Sequence, residues 1–373
     1  MLSEPQIKTE QTNKKLDLPP GVPPLTSLYL YTAGTCNLAC RHCWITPTFQ
    51  PDGKSDKFIK LEYVEKAIAE AKPLGLRSVK LTGGEPTLHP QFRQLVTMIA
   101  EAGLDIIVES NGLLIDANLA KFMRNKRVCF ISISLDGVNA ETHEALRLVE
   151  GSFQRAIDGI GALVSAGFRP QMICTLHRGN VSQIEDIVKL AESLGCGSIK
   201  FNHIQDIGRG GRFFKEQGLG VSEIINLYRY IEHEVQPKSK IYIHYDIPYA
   251  FYSIRTLMKE SIKRCTVHNI LGMLSGGELS LCGIGVTVPE MVFGHIALDS
   301  LHQVWCEASS LLELRAKVPG QFEGICGRCI HKNICMGECI ANNYNQTNKI
   351  NASYIFCVMA EELGLFPSSR RVF

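Results

Sequence analysis

The chain has 373 residues, 45% hydrophobic and 20% charged, with a formal net charge of +2. This length suits one large α/β unit with an appendage, or two or three ordinary domains, and the near-neutral balance gives no general attraction for nucleic acid. The opening residues lack the apolar run of a signal peptide and no later run is continuous enough to span a bilayer. The expected location is therefore the cytoplasm, where 14 cysteines point to metal or cluster ligation rather than disulfides.

Residues 1–24 read as a polar arm that ends in the stiff lead-in Leu18-Pro19-Pro20-Gly21-Val22-Pro23-Pro24. Apolar β-rich runs then alternate with helical patterns, as parallel βαβ units do. Strands are expected near 27–32, 77–82, 105–110, 127–134, 170–176 and 197–203. Helices are expected near 61–72, 91–102, 116–125, 152–166, 181–194 and 221–235. Val64, Ala67, Ile68 and Ala71 recur at helical spacing, whereas Val128 to Ser134 reads as a strand buried on both faces. This α/β unit is placed at 25–240. Ile241 to Asp246 reads as another strand, in a bridging region at 241–260. Glycine pairs, short strands and clustered cysteines then replace the alternation, which places a second domain at 261–357 and a tail at 358–373. Cys129, Cys174 and Cys196 lie in or beside apolar runs and read as small buried thiols.

Cys36, Cys40 and Cys43 put three thiols into eight residues directly after the first strand. Thiolates suit iron–sulfur clusters or zinc. A structural zinc loop normally needs four ligands, while a cubane held by three cysteines keeps one iron open, and the local spacing leaves both readings available. The loop lies beyond the carboxyl end of its strand, where ligands of such sheets and barrels bind. Gly83-Gly84-Glu85-Pro86 closes the second strand. Its glycines permit close backbone approach, so peptide carbonyls and the Glu85 carboxylate can meet an ammonium group. Asn111 ends the third strand, and Ser134 and Asp136 end the fourth, in positions that also suit ordinary turn chemistry.

The three-cysteine loop, with His42 before its last cysteine, and the Gly83-Gly84-Glu85-Pro86 turn one βα unit later together resemble the radical S-adenosylmethionine (SAM, AdoMet) superfamily. The resemblance implies a partial (β/α)6 TIM-like barrel whose [4Fe-4S] cluster sits on Cys36, Cys40 and Cys43. The open iron would chelate the amino and carboxylate groups of AdoMet, and electron transfer would cleave it to a 5'-deoxyadenosyl radical. It also implies that Gly83, Gly84, Glu85 and Pro86 receive the amino group, and that Asn111, Ser134 and Asp136 serve the ribose and methionine parts. Arg147 would bind the carboxylate through bidentate pairing, and Leu176 would pack against adenine. Relatives often have glycine after that arginine, where this chain has Leu148.

A second pattern comprises Cys265, Gly277 and Cys282, then Cys326, Cys329, Cys335 and Cys339, and finally Cys357. A zinc ribbon would explain the run from Cys326 to Cys339 alone. The whole matches the seven-cysteine pattern of SPASM domains, the auxiliary-cluster extension of radical SAM peptide modifiers. That resemblance implies two auxiliary Fe–S clusters, expected to be [4Fe-4S]. One would use Cys326, Cys329, Cys335 and Cys357; the other would use Cys265, Cys282 and Cys339, one ligand short, with His268 a candidate for the vacancy.

The expected function is hydrogen abstraction from a ribosomally made precursor peptide, leading to a crosslink, epimerisation or backbone splicing; a weaker resemblance is to Nif11-type maturases and spliceases. The alternatives are a small-molecule radical SAM enzyme and a sulfatase maturase. The latter typically carries a catalytic aspartate after the cysteine matching Cys282, and Gly283 here disfavours it. About 26 residues precede the core, too few for a winged-helix leader-recognition element, so a separate leader-binding protein is expected. A flavodoxin or ferredoxin would supply electrons. Asp246 is the candidate for proton transfer, with a turn before Pro248 as its plain reading. Gly208-Arg209-Gly210-Gly211-Arg212 is expected to form part of a ligand groove.

Overall fold

The computed structural model describes residues 16–372 except 53, 56 and 260–265. Its main sheet holds β1 (Ser27–Ala33), β2 (Ser78–Gly83), β3 (Asp105–Ser110), β4 (Val128–Ser134) and β5 (Gln171–Leu176). It continues with β6 (Ser198–His203), β7 (Tyr242–Tyr245), β8 (Ile270–Met273), β9 (Glu278–Ser280) and β10 (Val292–His295). The strand order is β10-β9-β8-β1-β2-β3-β4-β5-β6-β7. All pairings from β8 to β7 are parallel, because most neighbours are joined by helical crossovers that return the chain to the same edge. Only β8, β9 and β10 form an antiparallel meander. The two edge strands, β7 and β10, do not pair with each other, so this is the α/β partial barrel expected from the alternation, followed by a cysteine-rich region. β8 lies beside β1, with Ser27 opposite Ile270, and the region past residue 261 thereby extends the same sheet.

The helices through residue 230 are α1 (Leu61–Ala71), α2 (Phe92–Glu101), α3 (Ala117–Arg124), α4 (Ala140–Arg147), α5 (Ser152–Ser165), α6 (Ile184–Ser193), α7 (Gly210–Gln217) and α8 (Val221–Tyr230). α1 buries Val64, Ala67, Ile68 and Ala71, the face its spacing predicts. Two helices were not anticipated. α4 has only Ala140, Ala145 and Leu146 as apolar residues and so shows no stripe; it starts where Asn139 Oδ1 accepts a hydrogen bond from Thr142 N at 3.0 Å. α7 opens on Gly210-Gly211, which reads as loop.

Cys174 and Cys196 are buried, but Cys129 is exposed. It faces the opposite side of β4 from buried Val128, so this end of β4 is not covered on both faces. At the amino ends of the strands the proline-rich lead-in is tied down. Trp305, fully buried, donates from Nε1 to Pro23 O at 2.9 Å, and Asn269 Nδ2 donates to Pro24 O at 2.9 Å. Arg315 lies over the Trp305 ring, 4.4 Å from its centroid.

α4 ends with Leu148 in the left-handed region at φ 60°, with 52% of its surface exposed. A side chain there is strained, which is the physical reason a glycine suits this place. Leu148→Gly should stabilise the fold by about 1 kcal/mol, read as a higher denaturant midpoint at unchanged slope; a lower midpoint would show that the leucine makes compensating contacts.

Candidate active site

The loops that leave the carboxyl ends of the parallel strands enclose a cavity of about 330 Å³. Cys36, Cys40 and Cys43 open onto it, as do Gly83, Gly84 and Glu85. Asn111, Ser134 and Arg147 reach it from β3, β4 and α4, and Asp246 from β7. Pro86, Asp136 and Leu176 do not form its wall. On β5 the cavity-facing residues are Ile173 and Thr175, so alternation turns Leu176, 1% exposed, into the core on the other face.

The Gly83-Gly84 turn crosses the end of β1 closely. A Cβ added at Gly84 would lie 1.8 Å from Thr35 O, and the approach is held by Gly84 N to Ala33 O at 2.8 Å and Glu85 N to Thr35 O at 3.1 Å. Glu85 is 1% exposed and its carboxylate is saturated. Oε1 accepts from Thr87 N (3.0 Å), Thr87 Oγ1 (2.6 Å) and Ser110 Oγ (2.8 Å), and Oε2 accepts from Asn111 N (2.8 Å). Burial raises its pKa while those donors oppose the rise. Glu85 therefore locks β2 to β3, and the peptide carbonyls of the turn are the acceptors left for an ammonium group.

Asp136 is fully buried beneath the cavity. Its Oδ2 accepts from Arg147 Nε at 2.6 Å and its Oδ1 from Thr175 N at 2.7 Å. Burial would raise its pKa, but the Arg147 guanidinium, with smaller help from His42 and His143, holds it at about 2. Arg147 Nη1 also approaches Cys40 Sγ at 3.6 Å. Asp136 thus aims Arg147 at the cysteine loop and does not itself line the cavity.

Burial raises the pKa of Cys36, and Glu85, Cys40 and Cys43 add to the rise; Cys40 is raised likewise by burial, against the pull of Arg147. A cationic centre held by the loop would offset the cost that burial and neighbouring negative charge place on the Cys36 and Cys40 thiolates. N–H groups already point at the sulfurs, with Leu38 N 3.4 Å from Cys36 Sγ, as cluster-binding loops provide. Among the described residues no three Cys, His, Asp or Glu side chains converge tightly enough for a single ion. Tetrahedral zinc, with bonds of about 2.3 Å, needs thiolates roughly 3.8 Å apart, whereas a cubane spreads its ligands wider. The three thiols that line one cavity are a donor set that could hold a cluster.

Sequence reading missed a second polar wall. Lys200, Asn202 and His203 of β6 line the cavity while Ile199 and Phe201 are buried in the core. The alternation of Lys200 and Asn202 with Ile199 and Phe201 was the available signal. Asp246 adjoins His203 and also acts electrostatically on Cys339 and Tyr354. Gln205 Oε1 accepts from Asn342 Nδ2 at 2.9 Å, joining this wall to the helix Ile340–Thr347.

In the cysteine-rich region the Cys326 and Cys357 thiols hydrogen-bond, Cys357 senses the charge of Cys335, and Cys329 senses Cys326. Tyr354 N points at Cys326 Sγ (3.3 Å), His331 N at Cys329 Sγ (3.4 Å) and Asn342 N at Cys339 Sγ (3.4 Å). Cys282 lies beside Tyr31. Cys265 lies outside the described residues. The Nε2 of His268 hydrogen-bonds to Val318 O at 3.0 Å.

Residues 30–191 match the Radical SAM superfamily. This segment, which carries Cys36, Cys40, Cys43 and Gly83-Gly84-Glu85, is a radical SAM domain. It is 28% identical over 340 residues to an AdoMet-dependent heme synthase from Methanosarcina barkeri, covering 88% of this chain and 94% of that protein. It is 26% identical over 329 residues to the mycofactocin maturase MftC of Mycobacterium ulcerans, covering 83% and 81%. Its fold matches the crystal structure of Streptococcus suis SuiB bound to S-adenosylmethionine with a TM-score of 0.71 at 16% identity, over 89% of this chain and 76% of that one. As a radical SAM enzyme it works with AdoMet and a [4Fe-4S] cluster, and the cavity's three thiols and Gly83-Gly84 turn could hold them. No described helix is long and apolar enough to cross a membrane.

Asp136→Asn should destabilise this radical SAM protein by about 3–5 kcal/mol, because it leaves the Arg147 charge buried and unpaired. Asp136→Asn/Arg147→Met should recover most of that loss in denaturant titrations of the cluster-free protein; no recovery would contradict the pairing. A carboxyl with a depressed pKa stabilises above its unfolded pKa and loses this contribution as pH falls, here between about pH 4 and 2. The single variant should lack that segment of acid sensitivity.

Proposed function

We propose that the protein is a radical SAM enzyme that modifies a ribosomally made peptide, with Cys36, Cys40 and Cys43 holding its catalytic cluster. The observation that carries the reading is the meeting, in one cavity, of those thiols with Gly83, Gly84, Asn111 and Arg147. When bound, the cluster supplies the reducing electron for radical chemistry at a C–H bond. The chain's own residues then divide the work. Carbonyls of the Gly83-Gly84 turn receive the AdoMet ammonium, Glu85 keeps that turn rigid, and Asp136 fixes Arg147 against the cysteine loop. Asn111 and Ser134 supply polar contacts to the ribose and methionine parts. Cys326, Cys329, Cys335 and Cys357 hold one auxiliary cluster, and Cys265, Cys282 and Cys339 hold another with one position open. Asp246, between the cavity and Cys339, accepts the proton that substrate oxidation releases. A flavodoxin or ferredoxin delivers electrons, and a separate protein binds the peptide's leader.

The likeness to MftC, described as a maturase, supports a peptide substrate, as does the shared fold with SuiB, which has also been solved with the precursor peptide SuiA. Sulfatase-maturase chemistry through an aspartate after Cys282 has no room here. A Cβ at Gly283 would lie 2.4 Å from Cε1 and 2.6 Å from Cζ of the buried Tyr31 ring, closer than van der Waals contact allows. The identity to AdoMet-dependent heme synthase favours a second reading, a small-molecule substrate.

Deuterium transfer separates the two. The reconstituted, reduced enzyme is incubated with AdoMet and a deuterated extract of its host, and 5'-deoxyadenosine is analysed by mass spectrometry. The peptide reading predicts deuterium that disappears when the extract is first treated with protease; deuterium that survives proteolysis would sink it in favour of the small molecule.

A further inference from the structure

The β6 side of the cavity carries polar groups that the account above leaves without a role. Gly208-Arg209-Gly210 packs directly on the cysteine loop, where Arg209 N donates to Cys43 O at 3.0 Å. Both glycines are needed for that approach. Gly208 sits at φ 60°, and a Cβ there would lie 2.6 Å from Trp44 O; one on Gly210 would lie 2.5 Å from Gln205 O and 3.0 Å from His42 O. The backbone of Arg209 is thus pinned to the loop that carries the thiols, and its side chain lines the cavity.

Arg209 Nε and Nη2 are buried and have no hydrogen-bond partner among the described residues. These two nitrogens form one edge of the guanidinium, whose parallel N–H bonds match the two oxygens of a carboxylate. The cavity's own carboxylates, Glu85, Glu109 and Asp246, leave that edge unpartnered; Glu85 is held by Thr87, Ser110 and Asn111, and Glu109 pairs with Lys80 at 2.5 Å. On the same cavity wall, Oδ1 of Asn202 is buried without a partner among the described residues, and the buried His203 ring has the backbone of Asp246 near it. Burial pushes the His203 pKa down to about 4, so the ring is neutral at physiological pH and offers one donor and one acceptor. Buried polar groups of this kind are ordinarily satisfied, and an unsatisfied guanidinium edge on an arginine that lines the cavity calls for an anionic partner. Arg147 is different, with Nε committed to Asp136 and Nη1 to Cys40.

We propose that Arg209 binds a carboxylate of the substrate through its Nε–H and Nη2–H edge, with Asn202 and His203 holding polar atoms next to it. AdoMet also carries a carboxylate. Arg147 follows β4 and already meets Cys40 Sγ, whereas Arg209 follows β6, and the decarboxylated-AdoMet arm of the test distinguishes the two sources. This inference rests on the reading of the cavity as the shared site of AdoMet and substrate. It narrows the substrate to a carboxylate bearer, whether a peptide terminus, an acidic side chain or a small acid.

The test uses the cluster-reconstituted, AdoMet-loaded protein, its Arg209→Gln and Arg209→Lys variants, and the probe pair N-acetylglycylglycine and its C-terminal amide, with dissociation constants from ligand-observed NMR. The wild type should bind the acid at least about tenfold more tightly than the amide, a preference that requires the charged fork. Arg209→Gln should bring the two within about twofold, and Arg209→Lys, which keeps charge without the fork, should fall between. The affinity ratio of AdoMet to decarboxylated AdoMet should be the same in all three proteins. Equal binding of acid and amide by the wild type would overturn the proposal, as would a collapse of the AdoMet ratio in Arg209→Gln, which would assign the edge to AdoMet. Loss of iron from both variants would also overturn it, marking the arginine as structural. Reductive AdoMet cleavage by the wild type is scored separately: its absence would sink the proposed radical function, whereas its presence with no acid preference would sink only the role of Arg209.

Discussion

A buried ion pair organises the site. Arg147 and Asp136 meet at 2.6 Å, with Asp136 fully buried and Arg147 open only to the cavity, and each also serves a second element. Asp136 fixes the backbone of β5 through Thr175, while Arg147 reaches Cys40 Sγ. The end of α4 completes the attachment, since Arg147 O accepts from Ala39 N at 3.2 Å and Leu146 O accepts from Arg41 N at 2.9 Å. A cysteine loop of little regular structure is in this way stapled to the rigid barrel. Groups that do chemistry from loops need such support from regular elements.

Close backbone contacts provide the rest of the shape. The Gly84 turn presses on Thr35 O, and the Gly208-Arg209-Gly210 segment presses on Trp44 O and His42 O. The cysteine loop is therefore clamped from both sides, by the end of β2 and by the segment after β6. Between these clamps the cavity holds its acidic groups mostly engaged and an arginine edge unengaged. This electrostatic asymmetry is the basis of the proposed division between a substrate side and an AdoMet side. The Gln205–Asn342 bond and the position of Asp246 connect the substrate side to the cysteine-rich region, where auxiliary redox centres would be useful if the substrate must lose electrons.

Much of this could be read from residue order because the signals are local. Alternating apolar runs placed the six strands β1 to β6 within a residue or two, and cysteine spacing with Gly83-Gly84-Glu85 pointed to one cavity. What escaped depends on three-dimensional partners. α4 is short and polar and is held by its cap and its buried arginine, so no periodicity announces it. Glu85 looks like a free ligand until the four donors from Thr87, Ser110 and Asn111 are seen around it. The resemblance implies an adenine contact for Leu176 at the end of β5, but a period of two turns it into the core. Arg209 appeared only as part of a glycine-rich loop, since its unpartnered edge is a property of the cavity.

The central claim is that Cys36, Cys40 and Cys43 carry a redox-active cluster that works on AdoMet in this cavity. Anaerobic reconstitution, followed by iron and sulfide analysis and by assay of reductive AdoMet cleavage in the wild type and in Cys36→Ala/Cys40→Ala/Cys43→Ala, tests it most directly. The account predicts about twelve irons in the wild type, as three cubanes require, about four fewer in the triple variant, and cleavage only in the wild type. Bound zinc in place of iron, or AdoMet cleavage that survives the triple substitution, would contradict it.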